Sequence, residues 1–156
     1  MTQENSKQLL LKDLCARLPY GVKGVVYAEV TNGKYDLTGE MVFFDSAFDV
    51  ILDEINTSTE EIHVVAIGNE DTFDFIECQQ TGTKTYTIEE FKPYLRLMSS
   101  MTDSEAIEWH KTTFGQRWIT EDNIERCIDW LNAHHFDFRG LIEKGLAIDA
   151  TGLNIY

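Results

Sequence analysis

The chain has 156 residues, 43% of them apolar and 12% aromatic, and a formal net charge of −14. A chain of this size and apolar content forms one domain that buries roughly 70% of the surface exposed by its unfolded state. That excludes intrinsic disorder and any need for a disulfide or metal staple, while the charge, far beyond a magnitude of about 2–8, disfavours direct contact with nucleic-acid phosphates.

The first residues, MTQENSKQLLLKDL, hold no cationic head before an apolar stretch, and their longest apolar run is Leu9–Leu11. No signal peptide or membrane span is expected. Three cysteines without a CxxC spacing suit reduced thiols, so the expected compartment is the cytoplasm. Ser6–Leu18 is predicted as a helix, because Leu11, Leu14, Cys15 and Leu18 fall at i, i+3, i+4 and i+7 and Pro19-Tyr20-Gly21 stops it. Cys15 then reads as a small core residue.

Val22–Val30 and Tyr35–Phe44 are predicted as strands around Thr31-Asn32-Gly33-Lys34, since Asn-Gly tolerates the positive φ of a hairpin turn. Phe48–Ile55 fits a helix through Phe48, Ile51, Leu52 and Ile55, and a strand through Phe48, Val50 and Leu52. Its Val and Ile content favours the strand. Ile62–Ile67 and Thr72–Glu77 form a second hairpin across Gly68–Asp71, and Thr81–Lys84 turns the chain again. Together these make an antiparallel meander with one face left for helices.

Thr87 and Glu90 form a capping box, but Pro93 lacks an amide hydrogen and ends that helix early, leaving Tyr94–Met98 extended. Thr102 and Glu105 form a second box, opening a helix to about Phe114 with Ile107, His110 and Phe114 on one face. Thr120 caps the next helix, whose stripe is Ile124, Cys127, Ile128 and Leu131. After the corner Asn132–Phe138, Asp137 can cap a last helix, Phe138–Lys144, closed by Gly145. Residues 148–156 read as a tail with room for an edge strand. The expected fold is α+β in one domain, residues 1–156: an N-terminal helix and an antiparallel meander of four to six strands (1–86), then a helical C-terminal third (87–147).

Three segments, KDLCARLPYGVKG (Lys12–Gly24), KPYLRLMSSMT (Lys92–Thr102) and DWLNAHHFDFRGLIEKGLA (Asp129–Ala147), together resemble a family of small uncharacterised proteins of gut anaerobic bacteria, their phages and mobile elements. They cover less than a third of the chain. After Tyr94-Leu95-Arg96 the family pattern places a proline where this chain has Leu97-Met98. The resemblance implies a cytoplasmic accessory protein of mobile-element genomes and brings no activity and no catalytic residues.

Two constellations carry chemistry. His134, His135 and Asp137 are ligand types for a transition metal, yet adjacent histidines point to different sides of a regular backbone, and no HExxH spacing is present. The plainer reading is a sealed helix junction, with Trp130 and Phe136 as the seal and Asp137 as a cap. The second constellation is charge: residues 46–83 hold nine acids and no Lys or Arg. Asp49, Asp53, Glu54, Glu60, Glu61, Glu70, Asp71 and Asp74 could meet a basic protein surface or mimic the phosphate rail of DNA, against the plainer reading of a solubilising face. No GxSxG, phosphate-binding glycine loop or calcium loop occurs. Arg117, Arg126, Arg139 and Lys144 lie in a C-terminal third that is itself net acidic, which argues against direct nucleic-acid binding. The expected role is therefore a non-enzymatic interaction protein without a cofactor, which binds a basic protein partner and touches neither nucleic acid nor membrane. A metal-binding domain or metal-dependent enzyme at the His134-His135-Asp137 corner is the alternative.

Overall fold

Two long strands, β1 (Lys23–Tyr35) and β2 (Met41–Asn56), carry the fold, paired antiparallel from Lys23 opposite Ile51 to Tyr35 opposite Met41. A computed structural model describes residues 3–35, 37–39, 41–67, 83–114 and 121–156. It is an α+β fold. Helix α1 (Gln3–Arg17) precedes β1, and β3 (Glu61–Ala66), β4 (Thr83–Thr87) and β5 (Phe91–Leu95) follow β2. Helices α2 (Asp103–Phe114) and α3 (Glu121–Ala133) come next, and β6 (Ile148–Asp149) is last. Among the described residues the sheet order is β4-β3-β2-β1-β5-β6, antiparallel except for β5 with β6.

That order forces the sheet to curl. In a flat sheet β4 and β5 would stand four strand spacings apart, about 19 Å. From Thr87 to Phe91 the chain can reach at most about 14 Å. The link between them is one 3-10 turn, Ile88–Glu90, so the two strands must approach each other around the core. Helix α1 and Ile88 fill the concave side. Leu10, Leu14, Val26, Val50, Leu52, Ile62, Val64, Ile88 and Phe91 form one buried cluster there. Each such side chain stabilises the fold by about 2 kcal/mol. Gly24 belongs to this packing, because a Cβ there would lie 2.5 Å from the Lys92 carbonyl and 2.6 Å from the Phe91 ring.

Several sequence expectations move. Phe48–Ile55 is strand as expected, but as part of the longer β2, with a bulge between Leu52 and Glu54. The turn between β1 and β2 falls on residues 37–39, with Gly39 at φ 86°, while Asn32-Gly33 lies in β1 where the register slips between Thr31 and Tyr35. Strand β4 occupies the expected turn Thr81–Lys84 from Thr83 onward, and Thr72–Glu77 lies outside the described residues. The buried stripe of α1 is Leu10, Asp13, Leu14 and Arg17, and Cys15 is exposed. An apolar count could not place this stripe, because an internal ion pair occupies half of it. The expected helix Phe138–Lys144 is a single turn, closed by Gly145 N–H to the Ile142 carbonyl and Leu146 N–H to the Leu141 carbonyl. On α2 the packed residue is Trp109, 5.4 Å from Trp130, and Ile107 is exposed. No helix among the described residues is long and apolar enough to cross a membrane.

Candidate functional site

The corner after α3 is built from backbone geometry. Phe136 N–H bonds to the Leu131 carbonyl at 3.0 Å and His135 N–H to the Asn132 carbonyl at 3.1 Å, the paired bonds of a helix ending in a left-handed residue. That residue is His135, at φ 55°, where glycine is usual. The chain then runs beside β5. Arg96 N–H donates to the His135 carbonyl and Asp137 N–H to the Arg96 carbonyl, both at 2.8 Å. Two positions earlier, within β5, the Tyr156 hydroxyl donates to the Tyr94 carbonyl at 3.0 Å and accepts from Lys23 N–H at 3.1 Å, tying β5 to the start of β1.

Charged groups clamp this joint from beneath. Arg17 and Asp13 are both fully buried and paired at 2.7 Å. Arg17 also donates to the Phe136 carbonyl at 2.7 Å, and Arg139 donates to the other Asp13 oxygen at 2.5 Å. Arg96 stacks 4.6 Å over Phe136 and forms a two-pronged bond to Glu105, at 2.7 and 3.0 Å. Glu105 also receives Thr102 N–H in the second capping box, and Arg96 foremost holds its carboxyl down at about 2.

The three proposed metal ligands face three different partners. His134 stacks on Trp130 at 3.9 Å, with Nδ1 against the Trp130 carbonyl. His135 is 4% exposed and lies flat on Tyr156. Burial first, then the positive charges of Arg17, His134, Lys23 and Arg96, lowers its pKa to about 4. Asp137 spends one oxygen on Leu141 N–H and the other on Ile142 N–H, each at 2.8 Å. No group of three or more His, Cys, Asp or Glu able to hold a metal occurs among the described residues. The contacts of His134, His135 and Asp137 join α3, β5 and the turn that Gly145 closes.

The acids divide. Glu60 is drawn toward α1 by Lys7 at 2.5 Å and by Gln8, and Glu61 accepts from the Thr59 hydroxyl. Glu70, Asp71 and Asp74 lie outside the described residues. Asp49, Asp53 and Glu54 are exposed on β2. Asp49 stands on the convex face of the sheet, in a row with Val25 of β1 and Lys92 of β5. Ile67, just past β3, donates its N–H to the Asp49 carbonyl. The adjoining row is Val65, Ile51 and Lys23. Apolar side chains on this face stay open to solvent: Tyr27 at 47%, Ile67 at 41% and Val65 at 40%. The chain has no match among protein-family models, curated proteins or solved structures.

Sequence reasoning missed Arg17, Arg96, Tyr94 and Tyr156. Asp13 and Arg17 do stand at helical i, i+4 spacing, a visible signal. Arg96 reaches Glu105 nine positions on, Tyr94 and Tyr156 bond across 45 or more, as in the Tyr94 hydroxyl to Asp49 bond, and none of the three carries a local sign.

Proposed function

We propose that the protein is a non-enzymatic interaction module of the cytoplasm, and that the convex face of its sheet docks a protein partner with a basic surface. One observation carries this reading: Tyr27, Val65 and Ile67 are about half exposed on the same face as Asp49, with Asp53 and Glu54 exposed on the same strand. A sheet face clothed only by water normally alternates to polar residues, and contiguous exposed apolar side chains beside charge mark contact surfaces. Apolar burial supplies the affinity, and the acids steer and orient a cationic partner. The net charge of −14 favours a basic protein over a nucleic acid or a second copy of the chain. The resemblance to proteins of phages and mobile elements suggests a partner from host or element machinery.

Affinity capture from the native cytoplasm tests this reading with three baits: the wild type, Asp53→Asn/Glu54→Gln, and Val65→Asp. A partner held at low salt, released at high salt and lost with both variants supports it. Capture that ignores salt and both variants overturns it.

A further inference from the structure

The convex face holds one place shaped for a particular cationic group. Tyr94 projects from β5 and reaches across β1, its hydroxyl donating to Asp49 Oδ1 at 2.6 Å. Val25, opposite both Asp49 and Lys92, is accordingly only 6% exposed although it lies on the outer face. On the other side of Asp49, Tyr27 sits opposite Ala47, one diagonal step along the β1–β2 ladder. Diagonal neighbours of this kind lie about 7–8 Å apart at Cα, within reach of an aromatic ring. Ala47 is too small to shield Tyr27, and the ring stays 47% exposed. Ile67, just past β3, borders Asp49 and is 41% exposed. No ion pair joins Asp49 to Lys23 or Lys92 among the described residues.

We infer that Tyr27, Asp49 and Ile67 form an anchor for one arginine side chain of the docked partner, with Tyr94 orienting the carboxylate. The inference rests on the docking role proposed above and names the group that the face recognises. The chemistry selects arginine over lysine. A guanidinium is planar and weakly hydrated, stacks on a tyrosine face and presents parallel N–H donors to a carboxylate. Its methylene stem needs an apolar neighbour, which Ile67 provides. The Tyr94 hydroxyl satisfies one lobe of Asp49 and keeps the side chain from collapsing onto Lys92. The carboxylate is thereby aimed before the partner arrives, which lowers the ordering cost of binding.

The experiment is an NMR titration of the whole chain with N-acetyl-arginine-N-methylamide, and with the lysine and leucine analogues as comparison probes. Saturable millimolar shifts at Tyr27, Asp49 and Ile67 are expected for the arginine probe, with weaker binding of the lysine probe. Asp49→Asn keeps an acceptor for Tyr94 and should weaken arginine binding about tenfold or more, the loss of one charge-assisted contact. Tyr27→Ala should weaken it as well, Glu108→Gln, at an exposed acid of α2, should not, and thermal melts of all three check that they fold. Shifts that stay linear in concentration, that match those of the leucine probe or that persist in Asp49→Asn overturn the anchor. If capture still depends on Val65, Asp53 and Glu54 while the arginine probe fails, the anchor falls and the docking reading stands. If the probe binds at Asp49 but capture ignores the face, the anchor stands and the docking reading falls.

Discussion

The phenol ring of Tyr156 lies flat on the imidazole of His135, centroids 3.5 Å apart and planes 8° from parallel. Its hydroxyl bridges β1 and β5, and Lys23 adds a 5.6 Å contact to the same ring. One aromatic pair thus ties the end of the chain, the start of β1, β5 and the corner after α3. Burial pushes the Tyr156 hydroxyl up to about 12, so it remains a donor at any physiological pH.

Acid should loosen this joint through His135. Its folded pKa is about 4, below the usual 6.5, so between these values the unfolded chain binds the extra proton. The stabilisation is complete above pH 6.5 and is lost as pH falls toward 4, by about 3 kcal/mol in all. Denaturant midpoints between pH 6.5 and 5, before most carboxylates titrate, should fall in the wild type. The slope should be much flatter in His135→Asn, which removes the titrating group and tolerates a left-handed φ. Glu105, held at about 2, stays ionised throughout and cannot account for the slope. Equal slopes in both proteins would refute the assignment.

Asp13→Ala should be among the most damaging single changes. It leaves Arg17, fully buried, with no carboxylate, and frees Arg139 as well. Breaking one side of a buried pair costs about 3–5 kcal/mol. Urea unfolding measures this directly, and a loss below about 1 kcal/mol would show that water reaches the cluster.

Gly24→Ala should destabilise by about 1–3 kcal/mol, the usual cost of forcing volume into a packed core. The new methyl would meet the Lys92 carbonyl and the Phe91 ring, at 2.5 and 2.6 Å. Pairing it with Phe91→Leu should recover part of the loss if the ring is the obstacle. No recovery in a thermal melt would point to the carbonyl instead.

Arg96→Lys should cost about 1 kcal/mol, because an ammonium cannot reproduce the two-pronged bond to Glu105 or the stack on Phe136. The start of α2 should loosen selectively. Amide hydrogen exchange at Ser104–Ile107 should quicken while β2 and β3 remain protected. Uniform quickening would indicate global destabilisation.

Much of the local architecture was legible in the residues themselves. The Thr87–Glu90 and Thr102–Glu105 capping boxes form as read, α2 starts where its cap indicates, and Gly145 stops a turn with φ 71°, while Thr120, the expected cap of α3, lies outside the described residues. Asp137 caps as expected, with a turn in place of a helix behind it. These are contacts between residues three to five apart, so the chemistry that makes them is written side by side.

The sequence alone determined the class of fold, the strand-forming runs, the helix starts and the acidity of the middle of the chain, because each depends on composition or on near neighbours. The tertiary structure decided the curl of the sheet, the burial of Asp13 and Arg17, and the service of Glu60 to Lys7 while Asp49 remains presented. It also decided that His134, His135 and Asp137 turn to three separate partners. Each of these depends on which distant segment arrives opposite a given side chain, and a strand's alternation names two faces without saying which one a helix will cover.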